Sequence, residues 1–229
     1  MIAERLQGVK DNIKNAAENR SSEKKDDVLL IAVTKNHDVA AMREAIDAGV
    51  TDIGENRIQE AKEKYATLDR EVTWHLIGHL QTNKVKQAVK IFDIIHSVDS
   101  LHLAEAINNA AAGINKIQKV LVQVNLAKED SKSGIYEEDL DELLYKVDEL
   151  ANLKLMGLMC IAPNYEDVEE CRPLFAKMYK IFQKVKEMDF KTANILYLSM
   201  GMTHDYQIAV EEGANMVRVG TGIFGPRQY

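Results

Sequence analysis

The chain has 229 residues, 46% of them hydrophobic, and a formal net charge of -7 at pH 7. That length accommodates one large domain, and three scattered prolines leave no linker or low-complexity tract, so residues 1–229 are read as a single domain. An acidic balance with lysines spread among acids excludes a dedicated nucleic-acid binder, no run is long enough to span a bilayer, and Cys160 and Cys171 are too few for a disulfide framework.

The first segment, MIAERLQGVKDNIKNAAENR, places Ile2, Leu6, Val9 and Ile13 at helical spacing. It lacks the apolar core of a signal peptide and carries Glu4 and Asp11, which a transit peptide avoids, so the expected location is cytoplasmic. Eight strand-like runs then follow in order: VLLIAVTK (28–35), TDIGE (51–55), TWHLIG (73–78), DIIHSV (93–98), KVLVQVNL (119–126), LKLMGLM (153–159), ILYLSM (195–200) and MVRVG (216–220). Each gap between them holds a helical pattern, and Pro173 suits the first turn of one of these helices. Strict alternation predicts a parallel sheet with right-handed crossovers, and eight strands without an obvious edge predict closure into a (β/α)8 barrel with an extra N-terminal helix across its bottom. An open doubly wound sheet is the alternative, and it would strand the last glycine motif without its βαβ unit.

That motif is Gly220, Gly222 and Gly225, a G-x-G-x-x-G with four residues after it. A dinucleotide fingerprint needs a helix, a second strand and a distant acid, for which the sequence has no room. Barrels of this kind bind phosphate between the loops after strands seven and eight, here SMGMTHD (199–205) and GTGIFG (220–225). Backbone amides in such glycine-rich loops can approach an anion closely, so the pair predicts a cup for one phosphate.

Lys35 shares a strand face with Ile31 and Val33, and Arg218 shares one with Met216. Strands one and eight are neighbours in a closed barrel, which sets Lys35 beside Arg218 and the phosphate cup. A partly desolvated lysine next to a fixed cation gives up its proton more readily, and the neutral amine is the form that condenses with an aldehyde. A phosphate, an aldehyde-reactive lysine and an arginine together point to pyridoxal phosphate. A Schiff-base aldolase acting on a sugar phosphate would use the same lysine and cup.

The stretches AVTK around Lys35, IGENRIQE (53–60), WHLIGHLQTNK (74–84), HSVDS (96–100), VNLAKEDSKSGI (124–135), GLMCIAP (157–163), LSMGMTHD (198–205) and VRVGTGIFGPR (217–227) resemble the pyridoxal phosphate homeostasis proteins over nearly the whole chain. The resemblance implies an alanine racemase N-terminal-domain-like barrel that holds pyridoxal 5'-phosphate as a Schiff base on Lys35, with Arg218 at the pyridine nitrogen. It further implies phosphate contacts from Ser199, Gly220 and Thr221, with Met200 and Gly201 in the same loop, and Asn56 near the ring. Thr203 stands where the family pattern has serine, and it keeps the hydroxyl.

An arginine facing the ring nitrogen leaves it unprotonated and the ring a weak electron sink. A racemase needs a second acid or base, which alanine racemases take from an additional β domain with no counterpart in this sequence. The reading is therefore a carrier that buffers or delivers pyridoxal phosphate without turnover, as a monomer, with apoenzymes that require the cofactor as acceptors. A racemase or decarboxylase is the competing reading. His75 and His79 are four apart but lie in a strand running into a loop, with no third ligand, so no metal site is expected. His79 is expected near the cofactor mouth, and Lys132 in AKEDSKSG reads as a solvated loop lysine.

Overall fold

The structure, a computed structural model, describes residues 1–20, 27–129 and 132–226. Asp130, Ser131 and Arg227, which belong to two of the quoted stretches, lie outside the described residues. Each apolar run forms a parallel strand: β1 (Leu29–Val33), β2 (Asp52–Glu55), β3 (Thr73–Leu76), β4 (Ile94–Val98), β5 (Gln118–Val124), β6 (Leu153–Cys160), β7 (Tyr197–Met202) and β8 (Met216–Val219). They pair in chain order and close into a barrel through β1 and β8, where Leu29 is level with Met216 and Ile31 with Arg218.

Between and around the strands run α1 (Ile2–Glu18), α2 (Val39–Asp47), α3 (Ile58–Thr67), α4 (Val85–Ile91), α5 (Leu101–Ala112), α6 (Glu137–Asp148), α7 (Arg172–Lys186), α8 (Tyr206–Glu211) and α9 (Thr221–Phe224). Two starts are written in the sequence as capping residues. Asp38 accepts from the Ala41 amide at 2.8 Å and Ser100 from the Leu103 amide at 3.2 Å, each satisfying an amide with no intrahelical partner. Pro173 sits in the first turn of α7, where no amide donor is needed.

Side chains alternate across each strand, so the barrel has two cores. Ala32, Ile53, Leu76, Ile95 and Val217 face outward into a large cluster with the helices. Ile31, Ile94, Leu121, Met156, Met159 and Met216 form a smaller cluster on the axis. Further inward-facing positions on β2, β3, β4, β7 and β8 carry polar residues: Asp52, His75, His96, Ser199 and Arg218, all buried.

The first helix does not lie across the bottom of the barrel. It runs along the side and packs on α2, α8 and α9, with Ile2, Leu6, Val9, Ile13 and Ala16 in the outer core. The reason is geometric: β8 is followed by only the four-residue α9, too short to cover the β8 and β1 junction, and α1 fills that part of the helical ring.

Gly201 lies where the register of β7 against β8 shifts, between Ser199 and Met202, with φ of 96°, and an added Cβ would meet Ala209 Cβ at 2.6 Å and Tyr206 Cα at 2.9 Å. Strain and overpacking then act together, so Gly201→Ala is expected to lose about 2–4 kcal/mol in a urea titration.

Candidate cofactor site

At the C-terminal ends of the strands, Lys35, Asn56, Arg218, Gly220 and Thr221 line one cavity of about 290 Å³. That face carries the sites of barrel enzymes, and the volume is close to the lower bound of small-molecule pockets, roughly 300 Å³. Lys35 lies two residues beyond the end of β1 rather than at its last strand position. It occupies a turn closed by the His37 amide donating to Thr34 O at 3.0 Å, with Asn36 at φ of 62° as the third residue. Asparagine tolerates that left-handed position better than most residues. Arg218 is level with Ile31, deeper than Lys35, and its side chain reaches up to the same cavity.

At the other end of the cavity, Ile223 and Phe224 donate to Gly220 O at 2.9 and 3.0 Å. The amides of Thr221 and Gly222 precede these first helical bonds, so they have no partner within the short helix. The Gly220 amide donates to Thr203 Oγ1 at 3.1 Å, which ties the loop after β7 to the loop after β8. The threonine that departs from the family's serine thus uses the shared hydroxyl. Thr203 also lines the cavity, as do His204 and His37, the latter stacked on Phe224 with centroids 4.6 Å apart.

Three expected site residues lie elsewhere. Ser199 faces the barrel axis and accepts from Arg218 Nη1 at 2.5 Å, so it holds the arginine rather than lining the cavity. Met200, at the opposite parity, is fully buried in the outer core, and its side chain points away from the site. Gly201 is the turning point already described. His79 lines an adjoining lobe of about 240 Å³ with Lys132 and Ser133, sharing Asn56, Ile77 and Ile161 with the first cavity. There Ser133 Oγ lies 3.2 Å from His79 Nδ1, and Lys132 pairs with Glu129 at 2.5 Å.

What joins His75 is not His79 but a buried hydrogen-bonded chain across the barrel. Arg218 can only donate, so Ser199 accepts from it and turns its own proton to His96 Nδ1 at 3.1 Å. His96 then carries its proton on Nε2, facing His75 Nδ1 at 2.8 Å, and His75 Nε2 donates to Asp52 Oδ1 at 2.6 Å. The chain begins at the site and ends on a carboxylate at the other end of the barrel. Residue spacing gives no sign of it, because the five members come from five strands. The signal that could have found them is parity: each is polar at a position where its strand faces inward.

Arg218 is 2% exposed and donates to Ser199 Oγ and Cys160 O. Burial lowers its pKa, opposed by the Cys160 thiol and Asp205. A buried guanidinium facing a cavity suits a ligand that brings negative charge or a ring acceptor. Burial also pushes the Cys160 thiol up to about 12 and the Cys171 thiol up to about 11, which leaves both as poor nucleophiles at neutral pH.

Burial, then His75 and Arg218, hold His96 well below its ordinary value of 6.5. Below that pH the unfolded chain takes up a proton that the folded chain refuses, so acid removes stability. Urea midpoints from pH 7.5 down to 5 are expected to show a slope steeper in the wild type than in His96→Gln, by up to about 1.4 kcal/mol per pH unit.

A family model described as "Alanine racemase, N-terminal domain" matches residues 5–228. The chain is 40% identical over 227 residues to the pyridoxal phosphate homeostasis protein of Aquifex aeolicus, covering 99% of this chain and 98% of that one. The chain belongs to the pyridoxal phosphate homeostasis protein family. Its relative in Escherichia coli strain K12 is 38% identical over 233 residues, covering 100% of this chain and 97% of that one. Among solved structures, the family member PipY of Synechococcus elongatus with pyridoxal phosphate bound superposes with a TM-score of 0.84 at 39% identity, covering 98% of this chain and all of that one. An alanine racemase of Clostridium difficile shares the fold at 20% identity. Among the described residues of this family member, no helix is long and apolar enough to cross a membrane.

Proposed function

We propose that this chain binds pyridoxal 5'-phosphate, linked covalently to Lys35, and serves in homeostasis of that cofactor by holding and releasing it without turnover. The observation that carries the reading is one cavity lined by Lys35, Arg218, Gly220 and Thr221, in a chain 39% identical to PipY with pyridoxal phosphate bound. The residues fit the group. The cavity offers an amine for the aldehyde, amides for the phosphate and a guanidinium for the ring nitrogen.

The cofactor supplies a reactive aldehyde and an electron-withdrawing ring. Lys35 would hold the group through its ε-amine, a link that water can reverse. Arg218, having only N–H donors, would face the ring nitrogen as a donor and favour its unprotonated form. Ser199 and the histidine chain behind it hold the guanidinium in place. Thr203 holds Gly220 in place, and the Thr221 amide at the start of α9 would be left to bind the phosphate. The carrier reading is further supported by the names of the relatives in Aquifex aeolicus and Escherichia coli.

The test is the visible absorption spectrum of the purified protein, followed by borohydride reduction and peptide mapping. A visible band and a pyridoxyl adduct on Lys35 are expected. A protein that stays colourless after pyridoxal phosphate is added overturns the reading. Incubation of the loaded protein with L-amino acids is expected to leave their chirality and composition unchanged.

A further inference from the structure

The stretch IGENRIQE and the helix it opens surround the backbone on both sides of Lys35. Lys64 Nζ on α3 donates to Thr34 O, Glu55 Oε1 and Glu60 Oε1, each at 2.7 Å, which uses all three of its donors. Glu60 Oε1 also accepts from the Asn36 amide at 2.6 Å, and Glu55 Oε1 from the Thr34 hydroxyl at 2.5 Å. One ionic cluster therefore grips the carbonyl just before Lys35 and the amide just after it. It does so from a helix and a strand end rather than from the turn itself.

This cluster is costly to bury. The Lys64 and Glu55 side chains are 8% and 0% exposed, and Glu55 Oε2 has no hydrogen-bond partner among the described residues. Burial raises the Glu55 pKa against the pull of Lys64. A well-packed apolar pair of similar volume is commonly as stable as a buried ion pair, so stability alone does not account for these residues. An apolar pair could not hold a peptide carbonyl and an amide on either side of one residue. Glu55 also precedes Asn56, which lines both lobes of the cavity.

We infer that Lys64, with Glu55 and Glu60, is a positioning unit for Lys35, fixing the backbone from which the ε-amine reaches the cofactor. The inference rests on Lys35 being the residue that links to pyridoxal phosphate. It extends the site to residues that do not touch the cavity.

The test compares wild type, Glu60→Gln and the charge-neutral double variant Lys64→Met/Glu55→Gln, with free pyridoxal 5'-phosphate as the probe. Hydrogen exchange at the Asn36 amide is read in the cofactor-free protein. Affinity and the pH midpoint of the visible band are read on loading, and the urea midpoint controls for folding. Exchange at Asn36 is expected to quicken and affinity to fall roughly tenfold in the double variant, with a displaced pH midpoint and Lys35 still the labelled residue. Glu60→Gln, on a partly exposed side chain, is expected to move the same readouts by less. Unchanged affinity and pH midpoint in both variants, with or without a change in urea midpoint, overturn the positioning role. A wild type with no adduct on Lys35 overturns the cofactor reading and this inference together, which separates the two failures.

Discussion

Lys35→Ala is expected to lose the visible band and the borohydride-trapped adduct outright, and to bind pyridoxal 5'-phosphate at least about 100-fold more weakly, equivalent to about 2.8 kcal/mol. The loss is expected to be incomplete because Arg218, Gly220 and Thr221, proposed to contact the cofactor, still line the cavity. Equilibrium dialysis of the variant, with absorbance scans before and after reduction, measures both parts. An adduct that moves to another lysine in the variant, with affinity unchanged, would show that the linkage is not specific to the turn after β1. Wild-type affinity in the absence of any adduct would show that the covalent link contributes little.

Lys64→Met alone is expected to cost about 3–5 kcal/mol, read as a fall in the urea midpoint at constant slope. Removing the ammonium leaves Glu55 fully buried with its cation gone, next to Glu60. The double variant Lys64→Met/Glu55→Gln is expected to recover most of that loss, since neither side chain then carries a charge. The contrast between the two separates the energetics of the buried pair from its effect on the cofactor. A single variant as stable as the wild type would place water or a conformational adjustment at Glu55, and would remove the electrostatic basis for the cluster.

The strand order was legible because its signal is local. Eight apolar runs, each separated from the next by a helical pattern, with the caps Asp38 and Ser100 at two helix starts, leave little choice but alternation, and alternation of this length closes. Parity along β8 placed Arg218 inward beside Met216, and the glycines after it marked a loop with room for backbone to approach a ligand. The motif around Ser199 did not show its depth. Only the register of β7 against β8 shows that its hydroxyl meets Arg218 rather than the cavity. The place of the first helix was not legible either, because it depends on the shortness of α9, a feature of the far end of the chain.

The sequence by itself determined the alternation of elements, the shared face of Met216 and Arg218, the glycine-rich loops after the seventh and eighth strands and the family to which the motifs point. Each follows from neighbours within a few positions, where periodicity and backbone preference act. The tertiary structure decided which polar residues meet. Asp52, His75, His96, Ser199 and Arg218 come from five strands, and Lys64 reaches Thr34 across thirty residues of chain. Such contacts depend on barrel register and on the burial that makes an unpaired polar group costly, and neither is a property of any short stretch of sequence.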